Sequence, residues 1–321
     1  MSISSIALAV SLLFTGDILL DRGVRETIEL KGIDHLFTQE VDSLFRLCDY
    51  LIGNLECPAT TIRQPDYKLY VFRADPEWLP ALKAHGITHL NLANNHSIDQ
   101  GRAGLVDTWR NVSAAGITPF GAGNNMAEAT EPLVLKAPLP SCLSPQASSP
   151  SCMSPQCGDV RNIYVRNIYV RNIYVVPTLR LALENFSYLT GKPCVSQEPE
   201  DSLVARISRI RTTDPSACII VCPHWGAEHR LRPLALQKQL AHRMVDAGAD
   251  VIIGHHTHTL QTVEDYCGKR IYYSIGNFIF DQHRPINTRA CVVKVTVGDS
   301  PLQVETIPVS IRLCVPHLGE S

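Results

Sequence analysis

The chain has 321 residues, of which 45% are hydrophobic and 19% are charged, and its formal net charge is −2. This is the composition of a globular protein with a sizeable core, which excludes the disordered, collagen-like and disulfide-scaffold classes. Because acidic and basic residues nearly balance, the chain lacks the broad basic character of nucleic-acid-binding domains. No nucleic-acid partner is predicted.

The N-terminal segment is apolar and short, as in a secretory signal. A signal would carry Lys or Arg before the apolar stretch and a small-residue cleavage site after it, but this segment runs directly into Thr15-Gly16-Asp17. We therefore expect a buried strand. There is no uninterrupted apolar run of about 18 residues or more, so no membrane segment is predicted. The eleven cysteines form no CxxC pair, which indicates a reducing compartment and predicts a cytoplasmic protein.

Short β-branched and apolar runs alternate with helix-like segments along the chain. In the first half, the predicted strands are 6–14, 50–55, 87–92 and 117–120, and the predicted helices are 33–47, 76–85 and 101–115. In the second half, strands are predicted at 218–222, 251–253, 271–275 and 290–297, with a helix at 234–247. This alternation predicts an α/β fold, and such folds bind ligands beyond the carboxyl ends of their strands.

The composition changes between the two halves. Residues 140–157 are rich in Pro, Ser and Cys, and residues 160–175 contain the pentapeptide RNIYV in three tandem copies. A period of five cannot keep one side-chain face inward along a strand, so at most one copy is expected in a sheet. Three such copies are too few for a solenoid. We interpret residues 141–171 as an insertion within a single domain that covers 1–321.

Polar clusters follow five of the predicted strands. Turn formation or helix capping accounts for some of these residues, because Asp and Asn serve both purposes. Three Asn and a His directly after one strand need hydrogen-bond partners or solvent, because burying such side chains without partners costs free energy. The clusters are Thr15-Gly16-Asp17, Gly53-Asn54-Leu55-Glu56, Asn91-Leu92-Ala93-Asn94-Asn95-His96, Pro223-His224-Trp225-Gly226 and Gly254-His255-His256-Thr257-His258.

These clusters contain the ligand types of a divalent metal site. His256 and His258 lie two positions apart, which on an extended segment places both rings on the same side. A mixture of carboxylate, amide oxygen and imidazole suits Mn, Fe, Zn or Co better than Ca. Six ligands exceed what one tetrahedral ion needs, so two ions with a bridging carboxylate are predicted. The predicted ligands are Asp17, Glu56 or Asn54, Asn95, His224, His256 and His258.

His96 and Asp99 form a candidate catalytic pair. The imidazole of His96 could protonate a leaving group, which is the usual task of a histidine in acid catalysis. Asp99 lies three residues further along the chain, where it can hold that ring in one tautomer.

The order of the motifs GD, NLE, NNHxxDxG, HWG and HxH resembles the CapA family of poly-γ-glutamate capsule synthesis proteins, within the calcineurin-like metallophosphoesterase superfamily. The resemblance covers about residues 10–140 and 178–315. It implies a four-layer α/β/β/α sandwich with a metal centre at the strand ends. It also implies that Asp17, His258 and the Glu56 region hold one ion, that Asn95, His224 and His256 hold the second, and that His96 assists the leaving group with Asp99 behind it.

The sequence departs from the superfamily pattern at two positions. The first motif is usually Asp-x-His, but Leu19 occupies the histidine position, so the first site lacks a ligand. The second motif is usually Gly-Asp, and here Gly53 is followed by Asn54. We expect Glu56 to take the bridging role, because two dications benefit from a shared negative ligand.

Three functions are compatible with these motifs. The first is a metal-dependent phosphoesterase, in which metal-activated water attacks a phosphate ester and Arg22 or a nearby basic group steadies the anionic substrate. The second is an accessory protein of poly-γ-glutamate synthesis that binds or processes an anionic polymer. The third is a degenerate, non-catalytic member, which the missing histidine at Leu19 would explain. The predicted partner is an anionic small molecule or polymer.

Overall fold

A computed structural model of the chain describes residues 9–139, 169–181, 191–298 and 301–319. The strands in these ranges are β1 (Val10–Ile18), β2 (Tyr50–Leu55), β3 (His89–Asn91), β4 (Thr118–Phe120), β5 (Ala122–Gly123), β6 (Leu133–Leu139), β7 (Tyr169–Arg180), β8 (Cys194–Val195), β9 (Cys218–Trp225), β10 (Val251–Ile253), β11 (Val263–Tyr266), β12 (Lys269–Tyr272), β13 (Asn277–Ile279), β14 (Arg289–Val297), β15 (Gln303–Arg312) and β16 (Val315–Leu318). The α-helices are α1 (Gly23–Lys31), α2 (Gln39–Phe45), α3 (Leu79–Ala84), α4 (Gly101–Ala114), α5 (Met126–Ala129), α6 (Glu200–Thr213) and α7 (Ala235–Asp246).

The strands form two large sheets and one small pair. The first sheet has the order β16-β15-β14-β1-β2-β3-β4, and β13 also pairs with β1. The second sheet has the order β11-β12-β10-β9-β7-β6, and β5 pairs with β8. Strands β1 to β4 run parallel to one another, as do β7, β9, β10 and β12. Their carboxyl ends therefore lie along one edge of each sheet.

The two sheets pack face to face, with helices on their outer sides. Along β1, Leu12 and Phe14 belong to the core between the sheets, whereas Leu13 belongs to the core under the first helical layer. Along β9, Ile220 lies between the sheets and Ile219 packs in the core that α6 and α7 share. This alternation follows from the two-residue period of strand side chains. The result is the predicted four-layer α/β/β/α sandwich.

Some element boundaries differ from those predicted. The first strand continues to Ile18 and includes Thr15-Gly16-Asp17, because β2 and β13 pair with its polar end. The predicted helix 33–47 is divided into a 3₁₀ turn at Ile33–Leu36 and the helix α2. The Thr38 side chain accepts a hydrogen bond from the Val41 amide and so caps the N-terminus of α2. None of the described helices is long and apolar enough to cross a membrane.

One complete copy of the pentapeptide lies in the second sheet. Strand β7 begins at Tyr169 and contains the third copy, 171–175, paired with β6 on one side and β9 on the other. Ile173 and Val175 from this copy are buried between the sheets. The C-terminal end of the predicted insertion, 169–171, is therefore part of a strand. Residues 140–168, which include the rest of that insertion, lie outside the described residues.

Candidate metal centre

The carboxyl ends of strands from both sheets meet at one buried cluster. From the first sheet, Asp17 lies near the end of β1, Asn54 and Glu56 lie at the end of β2, and Asn95 follows β3. From the second sheet, His224 lies in β9, while His256 and His258 follow β10. The structure thus brings together every residue predicted as a metal ligand, and all are at most 6% exposed.

One group of possible ligands contains Asp17, Glu56 and His258. Nδ1 of His258 is 3.5 Å from Oδ2 of Asp17, and its Nε2 is 3.7 Å from Oε1 of Glu56. One donor atom from each of the three residues lies within 4.8 Å of the other two, a spacing that could hold a metal ion.

A second group contains Glu56, His224 and His256. Nε2 of His224 is 3.5 Å from Oε1 of Glu56, and the donor atoms of the group again lie within 4.8 Å of one another. The amide oxygen Oδ1 of Asn95 is 2.7 Å from Nε2 of His224, at the edge of this group. Glu56 is common to both groups, which is the geometry of a carboxylate shared between two ions.

Glu56 fits a bound cation better than it fits a metal-free core. The side chain is fully buried, and neither carboxylate oxygen has a hydrogen-bond partner among the described residues. Burial, and then the negative charge of Asp17, raise the pKa of Glu56 well above its usual value. A buried carboxylate without donors is costly unless it is paired or coordinates a metal. The donors around it, which are carboxylates and imidazoles, suit divalent transition metals.

The imidazoles of the cluster are suited to metal binding at neutral pH. Burial lowers the pKa of His256 to about 3 and holds the pKa of His224 well below its usual value. For Asp17, burial alone would raise the pKa, but its contact with Nδ1 of His258 and the electrostatic influence of the neighbouring histidines lower it below its usual value. Neutral imidazole and ionised carboxylate are the protonation states that coordinate metals.

Asn54 links a candidate ligand from the first sheet to one from the second. Its Nδ2 donates a hydrogen bond to Oδ1 of Asp17 at 2.8 Å and lies 3.3 Å from Nδ1 of His224. Its oxygen accepts a weak hydrogen bond of 3.4 Å from Asn94. In this orientation the nitrogen of Asn54 faces the cluster, so the oxygen that a metal requires faces away.

The backbone that carries His256 and His258 is not extended, contrary to the sequence prediction. Their φ angles are 92° and 54°, in the left-handed region that residues other than glycine adopt rarely. The His256 amide donates to Oδ2 of Asp17 at 3.3 Å, a contact that accompanies this conformation. The two rings still lie near each other, with centroids 6.1 Å apart. Strained backbone of this kind is common at functional sites.

His96 and Asp99 form a buried pair beside the cluster. Nδ1 of His96 is 2.8 Å from Oδ2 of Asp99, and the same carboxylate accepts the Phe72 amide at 2.7 Å and pairs with Nζ of Lys68 at 2.5 Å. Burial lowers the pKa of His96, and the hydrogen bond to Asp99 partly opposes that effect. Asp99 therefore holds one nitrogen of the ring in place.

An open cleft of about 230 Å³ reaches the cluster and is lined by His96, His258 and Arg22, among others. The Arg22 guanidinium donates from Nε to Oδ2 of Asp281 at 2.9 Å and lies over the Phe72 ring, 5.2 Å from its centroid. Arg22 is thus fixed at the wall of the cleft, with much of its charge balanced by Asp281.

The position that holds a histidine in the superfamily pattern cannot contribute a ligand here. Leu19 is fully buried in the core under the first helical layer, and its amide donates to the Ile279 carbonyl at 2.8 Å. The first group consequently has three candidate ligands, Asp17, Glu56 and His258.

Three further residues of the site were not predicted from the sequence. Asn277 contacts Nδ1 of His258, with its Oδ1 at 2.9 Å. Glu228 and His229 line the cleft, and Nε2 of His229 is 3.6 Å from a Glu228 oxygen. The sequence signals were available, because Asn277 follows an apolar run and Glu228-His229 follows the HWG motif.

The family model for the bacterial capsule synthesis protein PGA_cap matches residues 11–282. The chain belongs to this family. The PGA biosynthesis protein CapA of Bacillus subtilis (strain 168) is 31% identical over 280 residues, which are 84% of this chain and 63% of that protein. The capsule biosynthesis protein CapA of Bacillus anthracis is 30% identical over 320 residues, which are 94% of this chain and 68% of that protein. The resemblance to CapA proteins is confirmed.

The fold of this PGA_cap member is that of the calcineurin-like phosphoesterases. The solved structure of the calcineurin-like phosphoesterase YfkN from Bacillus subtilis superposes with a TM-score of 0.53 and 12% sequence identity. The superposition covers 95% of this chain and 91% of that one. The match to this chain spans 63% of the length of the B. subtilis CapA relative.

Proposed function

We propose that this PGA_cap member is a metal-dependent phosphoesterase-like hydrolase that cleaves a phosphate ester with metal-activated water. The observation that carries the proposal is the position of Glu56. It is buried without a hydrogen-bond donor among the described residues and belongs to both groups of possible metal ligands. A shared carboxylate of this kind is what a two-ion hydrolytic centre needs.

In this proposal Asp17, Glu56 and His258 hold one divalent ion, and Glu56, His224 and His256 hold the other, with Asn95 beside it. Mn, Fe, Zn and Co are the ions that suit these donors. When bound, such ions polarise phosphoryl oxygens and lower the pKa of water to near neutrality. Asn54 braces Asp17 and His224 through its amide nitrogen.

His96 is the proposed proton donor to the leaving group. Asp99 accepts a hydrogen bond from Nδ1 of His96, and its charge favours the protonated ring. In that form Nε2 carries the second proton, which passes to the departing oxygen and leaves the ring neutral. Arg22, which Asp281 and Phe72 hold at the cleft wall, provides a fixed cationic group for an anionic substrate.

Turnover of simple phosphate esters tests the proposal. The metal-free protein is loaded with Mn, Fe, Co or Zn, its metal content is measured, and it is assayed with p-nitrophenyl phosphate and bis-p-nitrophenyl phosphate. We expect metal-dependent hydrolysis that His224→Ala reduces by about 100-fold or more. Full metal content without turnover of either ester by any of the four loaded forms would contradict the proposal.

The role of His96 predicts a dependence on the leaving group. His96→Gln should lower kcat by about 10²-fold for an alkyl phosphate, whose alkoxide needs a proton, and much less for p-nitrophenyl phosphate. Metal content should not change. His35→Gln is the matched control because His35 is exposed and lies outside the site. Equal losses on both substrates would show that His96 does not protonate the leaving group.

The family favours a second candidate function. Two relatives are named for PGA or capsule biosynthesis, and a cationic metal cleft would attract an anionic carboxylate polymer. In this alternative the same site binds or processes poly-γ-glutamate. The test is co-elution of the metal-loaded protein with poly-γ-glutamate, which His256→Ala should abolish.

The metal content also tests the non-catalytic alternative. A measured content of less than about one ion per chain after loading would favour a non-catalytic member.

A further inference from the structure

We infer that Asn277 is a positioning residue that sets the tautomer and the ring orientation of His258. The inference deepens the proposed function, because it rests on His258 as a metal ligand. Asn277 is the first residue of β13 and is 1% exposed. Its Oδ1 lies 2.9 Å from Nδ1 of His258. A carbonyl oxygen can only accept a hydrogen bond, so Nδ1 carries the proton and donates it.

This tautomer leaves Nε2 of His258 with a free lone pair. Nε2 is the nitrogen that lies 3.7 Å from Oε1 of Glu56, the carboxylate shared by the two ligand groups. The ring is therefore held with its bare nitrogen toward Glu56. Histidine ligands usually donate their second N–H to such an acceptor, which fixes the ring and strengthens the ligand.

The surroundings of Asn277 determine which end of its amide faces His258. Its Nδ2 donates to Oε1 of Gln282 and to the backbone oxygen of Asn287, both at 3.3 Å. Rotating the amide by half a turn would place its oxygen against these two oxygens and its NH₂ group against the His258 ring. Because both acceptors lie on the same side, the oxygen is directed to His258.

Strand pairing places Asn277 beside the other members of the same group. β13 runs parallel to β1 with Asn277 opposite Asp17, and the Asp17 amide donates to the Gly276 oxygen at 3.1 Å. Asn287 secures the other side, since its Nδ2 donates to the His258 oxygen at 2.7 Å. The left-handed backbone of His258, with φ of 54°, is thus held by hydrogen bonds to its ring and to its carbonyl.

A neutral acceptor at position 277 has an electrostatic reason. Asp17 and Glu56 already place two carboxylates next to His258. An aspartate would supply the same oxygen to Nδ1, but its second oxygen would face the Gln282 and Asn287 oxygens, and its charge would add to the carboxylates already there. Asn277→Asp therefore keeps the acceptor for Nδ1 and loses the two hydrogen bonds that Nδ2 donates. Asn277→Leu keeps the number and branching of the side-chain heavy atoms and removes the acceptor.

The tautomer is measured first, on the metal-free protein, by long-range ¹H–¹⁵N correlation spectra of the imidazoles, with the His258 signals assigned by their loss in His258→Gln. We expect the Nδ1–H form in the wild type and in Asn277→Asp, and a weaker preference for Nδ1–H in Asn277→Leu, where Oδ2 of Asp17, 3.5 Å from Nδ1, is the remaining acceptor. An Nε2–H ring in the wild-type protein would overturn the inference, whether or not any variant folds.

Metal affinity is measured second, by competition of Zn²⁺ or Mn²⁺ with a chelator. Asn277→Leu should weaken binding by about 10- to 100-fold, and Asn277→Asp, which keeps the acceptor for Nδ1, should retain more affinity than Asn277→Leu. Asn111→Leu is the matched control, because Asn111 is a partly buried amide whose hydrogen bonds go to Ala59 and Asp107, neither of which is a candidate ligand. Unchanged affinity in Asn277→Leu would overturn the inference. Metal binding that depends on Asn277, without ester turnover, would overturn only the proposed function.

Discussion

Glu56 shows at the scale of one residue why the site favours a cation. Its carboxylate is fully buried, has no hydrogen-bond donor in the part of the chain that the structure describes, and lies near Asp17. Without a metal, ionising Glu56 in this position therefore costs free energy. Proteins retain such groups when they serve function rather than stability.

The cost of Glu56 predicts a pH dependence of stability in the metal-free protein. Because the pKa of Glu56 is raised from 4.5 in the folded state, its carboxyl group keeps its proton to higher pH in the folded protein than in the unfolded chain, so its own contribution to stability falls as pH rises. The buried His224 and His256, whose pKa values are lowered, contribute in the opposite direction, and comparison of a Glu56 variant with the wild type cancels their effect. Glu56→Gln removes the contribution of this carboxyl group. Between pH 4.5 and pH 7, the unfolding free energy of the metal-free variant should therefore rise relative to that of the wild type by about 1–3 kcal/mol. Urea denaturation in chelator at both pH values measures the difference. Glu77→Gln, at an exposed position, should show no such gain. If Glu56→Gln also shows no gain over the wild type, the argument is refuted.

Ligand chemistry was predictable from the sequence at this scale, but supporting contacts were not. Carboxylates and imidazoles directly after apolar runs could be selected by residue type, and the structure brings Asp17, Glu56, His224, His256 and His258 together. Asn277 also follows an apolar run, yet its importance depends on a hydrogen bond to His258. A contact between residues on separate strands cannot be read from either segment alone.

At the scale of strands, two glycines allow the carboxyl ends to approach closely. A Cβ on Gly16, in β1, would lie 2.2 Å from the Gly276 oxygen. A Cβ on Gly254, directly after β10, would lie 2.1 Å from the Tyr273 oxygen and 2.6 Å from Nε1 of Trp225. These distances are far below van der Waals contact, so both positions require glycine for space.

Gly254→Ala should therefore disturb the second sheet at the point where it supplies its imidazoles. The Trp225 indole donates to the Tyr273 oxygen at 2.8 Å, and the new methyl group would force these two groups apart. We expect a loss of about 1–3 kcal/mol in unfolding free energy, together with weaker metal binding. Gly268→Ala is the control, because its φ of +73° is strained for alanine but its Cβ would meet no neighbour. That control should lose stability without losing metal affinity, and equal metal affinity in both variants would contradict the prediction.

Periodicity predicted most elements but not their ends. The alternation of strands and helices was clear. Thr15-Gly16-Asp17, however, was placed after the end of the first strand and proved to be part of it, since pairing with β2 and β13 compensates for its polar residues. The pentapeptide shows a related limit. Its copies have identical patterns, and the third differs only in leading directly into the apolar Val176 and the rest of β7.

At the scale of the whole molecule, the site is an interface between the two sheets. The first sheet and its loops contribute Asp17, Glu56 and the amides, and the second contributes His224, His256 and His258. The α/β class could be predicted from the chain's own pattern. The face-to-face arrangement of two sheets came from the resemblance to CapA proteins, because strand order and sheet packing depend on contacts that a single sequence does not display.

A ligand that contacts both sheets stabilises the folded state by mass action. If divalent ions bind as proposed, a free concentration of 100 times Kd should stabilise the protein by about 2.7 kcal/mol per site. For a domain of this size, this corresponds to a rise in Tm of roughly 4 °C per site. Calorimetry with Mn²⁺ or Zn²⁺, and again after chelation, measures the shift. Asp17→Ala and His224→Ala, which each remove a ligand from one sheet, should both reduce it, whereas Asp214→Ala, at a surface turn where it accepts from Asn172, should retain the full shift. A shift that persists in both ligand variants would place the stabilising ion elsewhere in the molecule.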